Sequence, residues 1–126
     1  MLHTTYKLLR DEGACQPRYK RFRREAKKLG YTEDGQLIPL TVLLEINGLE
    51  DTLWALRAVL PEEEGERDKL ARLLSCDYAE NVQYLWVPIR GLDWKPADTI
   101  AVLRRYALGE ATREELAAAV AAVWAA

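Results

Sequence analysis

The stretch LLSCDYAENVQYLW, residues 73–86, sets Cys76 beside Asp77, with Glu80 one helical turn further on. A thiol among carboxylates invites three chemistries: thiolate attack, acid–base work by paired acids, and metal ligation. Each needs more than these residues. A cysteine nucleophile wants a base and an electropositive setting. Cys76 stands among acids, and the single histidine, His3, is near the start of the chain. Carboxylates that cleave a glycosidic bond face each other across a cleft, whereas Asp77 and Glu80 fall on adjacent turns of one helix. Metal sites gather several His, Cys or acidic ligands at set spacings, and the sequence has no such cluster.

The expectation is therefore structural. Cys76 and Cys15 read as small core residues, with no catalytic residue, metal or cofactor assigned. Charges at a core boundary are costly unless paired, so Asp77 and Glu80 need cations. Arg57 and Arg104 stand in comparable places, four residues after Leu53 and Ile100. The expected network is Arg57, Asp77, Glu80 and Arg104, fixing the register of neighbouring helices.

Helices must position those groups, and helical periodicity dominates the chain. Tyr6, Leu8 and Leu9 make a short helix ending at Gly13. In QPRYKRFRREAKKLG, Pro17 suits a first helical position and Gly30 a stop, while Tyr19, Phe22, Ala26 and Leu29 form one apolar stripe. YTEDGQL is a turn, and IPLTVLLEI a short helix halted at Asn47-Gly48. Asn47 and Glu50 resemble a capping box for a helix over 48–60 that buries Leu49, Leu53, Leu56 and Leu60. Pro61 and EEEGE form a linker. A helix over 66–86 carries the stripe Leu70, Leu74, Tyr78, Val82 and Leu85, followed by a loop VPIRGLDWK. Another runs from Pro96 to Gly109, burying Ile100, Leu103 and Ala107. The last opens on a Thr112–Glu115 capping box and continues through Leu116, Val120 and Val123. No strand is expected. The fold class is all-α: a compact bundle of five or six helices in antiparallel hairpins, as one domain over 1–126.

Charge divides the chain. Residues 1–30 hold nine Lys or Arg against three acids, and residues 31–126 nine against seventeen, giving +6 on a basic helical segment and −8 on the rest, with 36–126 an acidic helical body. No apolar run approaches the roughly 18 residues of a membrane span. The start lacks a hydrophobic core followed by a cleavage site, which points to a cytoplasmic protein with reduced thiols.

CDYAENV, followed by PADTIAVLRRYALGEATREEL and an alanine-rich tail, resembles a family of small bacterial and phage immunity proteins. NGLEDTLWALRAV is similar to their preceding helix, so the likeness covers about residues 47–126. The resemblance implies no catalytic residues. It matches Asp77, Glu80 and Arg104 to polar motif positions. The chain departs from the family at 83–95, where QYLWVPIRGLDWK replaces a more polar, acidic linker.

Two surfaces offer binding. Trp86, Ile89, Arg90, Leu92 and Trp94 combine residue types over-represented at binding hot spots. Trp54 and Trp124, both on helices, read as core. The basic helix over 17–29 presents Lys20, Arg21, Arg24, Lys27 and Lys28, which could steer an acidic protein or track a nucleic-acid backbone. The expected function is non-enzymatic: a protein that binds and blocks a protein partner, as an immunity protein or a phage-encoded inhibitor of a defence system such as CRISPR. A nucleic-acid-binding accessory protein working through the basic helix is the other reading.

Overall fold

Short apolar segments punctuated by Gly and Pro give short helices, and the computed structural model describes residues 1–90 and 96–125. They form two compact units, Met1–Arg67 and Asp68–Ala126. The charge boundary near residue 30 falls inside the first. Among the described residues the fold is all-α, with seven α-helices, except for one two-residue ladder.

The first unit opens with β1 (His3–Thr4), then α1 (Tyr6–Asp11), α2 (Gln16–Lys28), β2 (Ile38–Pro39), α3 (Leu40–Asn47) and α4 (Leu49–Ala55). Single 3-10 turns follow at Leu56–Ala58 and Pro61–Glu63. The strand pair corrects the expectation of no strand. β1 and β2 run antiparallel with His3 opposite Pro39 and Thr4 opposite Ile38. The pairing is not legible from periodicity because two residues carry no alternation. Side chains fasten it: Thr4, fully buried, donates from Oγ1 to the Ala58 carbonyl at 2.7 Å.

Tyr6 sits at the centre of this unit. Its ring meets Phe22 at 5.9 Å and Tyr19 at 6.4 Å, both edge-on, the arrangement that the ring quadrupole favours. Its hydroxyl donates to the Tyr31 carbonyl at 2.7 Å, and the Arg23 guanidinium lies 5.3 Å from the ring centre. Burial pushes the Tyr6 hydroxyl above its ordinary pKa, with Arg23 opposing. The α2 stripe is buried at Tyr19, Phe22 and Ala26, as its spacing implies, but Leu29 past the helix end is exposed.

The segment after α3 departs from expectation. Asn47 is still helical, so Gly48 precedes α4, in a conformation (φ +88°) that side-chain-bearing residues rarely adopt. The Asn47 amide instead donates to the Arg18 carbonyl at 3.2 Å and to Asp51 at 2.8 Å, so no Asn47–Glu50 box forms. The helix expected over 48–60 stops at Ala55, and the small residues Ala55 and Ala58, with Val59, are buried where Leu49 is exposed.

Near the chain start, His3 approaches Glu63 twice: its backbone N–H donates at 2.6 Å and its ring Nδ1 lies 2.7 Å away. Burial alone would raise the Glu63 carboxyl, but the His3 ring and backbone together hold it below the usual range. A carboxyl held low stabilises the fold above its unfolded pKa, and that contribution is lost as pH falls through the folded value. Glu63→Gln keeps an acceptor but no charge. The variant is expected to show a lower urea midpoint than wild type at pH 7. The gap should narrow below about pH 4, as read from paired urea titrations.

The second unit comprises the long α5 (Glu64–Arg90, begun in the first unit), α6 (Pro96–Ala107) and α7 (Arg113–Ala125). α5 runs through Pro88 to Arg90, so residues 87–90, expected in a loop, are helical. Pro88 falls in the last turn and has no N–H for the carbonyl four residues back, so it weakens the helix only just before its end. The Thr112–Glu115 box forms as expected, with reciprocal bonds of 2.7 and 3.1 Å. Thr112's backbone N–H, with its hydroxyl helping, holds Glu115 low. The Thr99 hydroxyl donates to the Ala119 carbonyl at 3.1 Å, tying α6 to α7.

Candidate partner-binding surface

The polar network forms around one arginine. Arg104 on α6 reaches back to α5 and places its guanidinium 2.9 Å from Asp77 and 2.9 Å from Glu80. Between those helices Cys76 is completely buried, its Sγ 4.0 Å from the Ile100 carbonyl. A small residue here lets α6 approach closely, and the acids then lie at the rim, where one cation serves both. Burial pushes the Cys76 thiol up. Arg104 opposes this, and Glu80 and Asp77 add to it. Arg72 lies over the Tyr106 ring at 5.5 Å and extends the same seam.

Arg57 is a correction to the expected network. It is exposed, donates to the Trp54 carbonyl at 3.2 Å and lies 4.9 Å from the centre of the Trp54 ring, all within the first unit. Cys15 is a second correction: it is exposed at the start of α2 and belongs to no core. Among the described residues no three His, Cys, Asp or Glu side chains converge on a metal position. No helix among them is long and apolar enough to cross a membrane.

Because α6 docks on the Cys76 side, the apolar stripe of α5 is left facing outward. Leu70, Tyr78, Val82 and Leu85 are 40 to 53% exposed, and Ile89 is 72% exposed. Cys76 is the one buried residue among those described on α5. The sequence assigns Leu70, Tyr78, Val82 and Leu85 to the core by their spacing, which their exposure corrects. On α7, Val120 is exposed and Trp124 is 76% exposed, which overturns the core reading of Trp124. Trp54 is partly buried against the core, as expected. A run of exposed aliphatic and aromatic side chains along one helix is a surface of the kind that marks partner sites.

Of the segment expected to anchor a partner, Ile89 extends this stripe. Leu92 and Trp94, with the side chains of Trp86 and Arg90, lie outside the described residues.

The basic face of α2 is present but largely occupied. Arg24 and Lys28 converge on Glu25, at 2.8 and 2.6 Å. Lys28 first, then Arg24, draw its carboxyl down to about 2. Arg21 donates to the Ile46 carbonyl at 3.2 Å. Lys20 and Lys27 are exposed. A carboxylate ionised across the ordinary pH range sits within the cationic face and lowers its pull on a phosphate backbone.

Comparison with known proteins found no matching family model, no matching curated protein and no matching solved structure.

Proposed function

We propose that the chain is a non-enzymatic protein-binding module that blocks or sequesters a protein partner. The mode would be that of an immunity protein or a phage-encoded inhibitor, including one directed at a defence system such as CRISPR. The carrying observation is the exposed stripe Leu70, Tyr78, Val82, Leu85 and Ile89 on α5. An amphipathic helix with its apolar face outward suits helix-in-groove recognition, where residues at spacings of three and four act as anchors. The resemblance of residues 47–126 to immunity proteins supports the same reading. The side chains that first invited a catalytic reading are engaged otherwise: Asp77 and Glu80 with Arg104, and Cys76 in the helix seam.

The test uses the outward face itself. Val82→Asp/Leu85→Asp places two charges on the stripe without entering the Cys76 seam. In a pull-down from the native host, wild type should retain one partner in near-stoichiometric amount. The double variant should lose at least about tenfold of it, since desolvating a charge in an interface costs several kcal/mol. Circular dichroism should show unchanged helicity. Equal retention by a folded variant would remove α5 as the binding face. Retention on DNA or RNA at low salt, lost steeply as salt rises, would instead favour the nucleic-acid reading.

A further inference from the structure

The second unit has little core of its own. Among its described residues three side chains are buried, Cys76, Ile100 and Ala107, against a cluster of twelve in the first unit. Units this small that bury so little are supplemented by disulfides, a structural metal or association with another chain. Residues 68–126 contain one cysteine and no histidine. A disulfide within the unit is therefore closed to it, as is a structural zinc site of cysteines and histidines. Nor does a cluster of acids among the described residues replace one. Association is the remaining route, and the outward stripe of α5 is the face for it. That face is suited to being covered. Between Leu70 and Ile89 it holds Leu74, Tyr78, Val82 and Leu85 at helical spacing, with no charge among them. The polar residues at its edges turn onto their own helix. The Ser75 hydroxyl donates to the Ala71 carbonyl at 2.9 Å, and the Asn81 amide to the Asp77 carbonyl at 2.9 Å. A donor of each stays bonded when water leaves.

We propose that α5 pairs antiparallel with α5 of a second copy of this chain. Counted inward from its two ends, the stripe matches Leu70 with Ile89, Leu74 with Leu85 and Tyr78 with Val82, within one residue of a common register. A twofold axis at its midpoint then sets apolar on apolar along about 30 Å of helix. Opposed helix dipoles favour this direction over the parallel one. The area suffices. At roughly 150–200 Å² for each side chain fully open, the exposures of Leu70, Tyr78, Val82, Leu85 and Ile89 leave about 400–500 Å² of apolar surface per copy. Homodimer interfaces are about 65% apolar, so two such faces correspond to about 1,200–1,500 Å² in all, within the roughly 1,200–2,000 Å² of stable interfaces. The inference rests on the same face as the proposed function and names what covers it first; a foreign partner has to displace the second copy.

Sedimentation equilibrium of the full chain should give twice the chain mass at about 100 μM, with a dissociation constant of roughly micromolar or tighter. Val82→Asp/Leu85→Asp should raise that constant at least about tenfold, with helicity retained at room temperature. The melting temperature should rise with protein concentration in wild type and not in the double variant. Direction is read by cross-linking in a Cys15→Ser background. Diamide should join Leu70→Cys to Ile89→Cys when the two variants are mixed, and neither variant to itself. A monomeric wild type, a dimer that the double variant leaves intact, or self-joining as fast as joining in the mixture would each overturn the inference. The two readings fail separately. A monomer that captures a host partner keeps the proposed function and ends this inference, whereas a dimer that captures none does the reverse.

Discussion

Phe22→Ala is expected to unfold the first unit at room temperature. Phe22 is 1% exposed and packs edge-on against Tyr6, which in turn meets Tyr19. Truncating a buried phenylalanine costs about 3–5 kcal/mol in lost burial and residual cavity. A core built by fewer than about 70–80 residues rarely supplies more than about 3–5 kcal/mol in total. The loss is therefore comparable to everything that holds Met1–Arg67 together. Amide NMR should show the dispersed signals of α2 and α3 collapsing in the variant. Phe22→Leu, which retains most of the volume, should keep them with a reduced melting temperature. A Phe22→Ala protein with an intact spectrum would mean that the ring cluster is not the keystone of this unit.

How far the sequence disclosed this arrangement depends on the kind of signal. The α2 stripe of Tyr19, Phe22 and Ala26 was legible because its spacing has one solution, a helix with that face inward. The Thr112–Glu115 box was legible because capping is local, and its two reciprocal bonds form as the residue types require. The Asn47–Glu50 pair shows the same pattern, yet Asn47 remains inside α3 and its amide serves Asp51 and Arg18. A local motif loses there to a contact between elements. The two-residue ladder of β1 and β2 was invisible, since it owes its place to Thr4 reaching Ala58 and to His3 reaching Glu63.

The candidate surface failed in a more instructive way. Periodicity identifies which α5 residues share a face but not which face meets a neighbour. The larger stripe, Leu70 to Leu85, reads as core by hydrophobicity alone. Docking is settled instead by Cys76, small enough for α6 to come close, and by Arg104, whose two carboxylate partners lie beside it. The ion pairs fix where α6 sits, and the apolar face is released to the outside.

The two thiols should therefore differ sharply in reactivity. Cys15 is exposed, whereas Cys76 has no accessible surface and a pKa pushed up, chiefly by burial. Attack on Cys76 requires α6 to lift from α5. An opening that costs about 3 kcal/mol, within the range of local unfolding, slows modification roughly 100-fold. Raising the thiol's pKa slows it further, because the thiolate is the reacting form. With an aromatic disulfide reagent at pH 8, one thiol should react rapidly and the other at least about 100-fold more slowly. Both should react alike in denaturant. Cys15→Ser should abolish the fast phase alone. Arg104→Ala should accelerate the slow phase, because it removes the two ion pairs that tie α6 to α5 at the rim of the seam, an effect that outweighs the loss of a cation favouring the Cys76 thiolate. Two fast thiols in the native wild type would mean that α6 does not seal Cys76, and the reason for an outward-facing α5 stripe would fall with it.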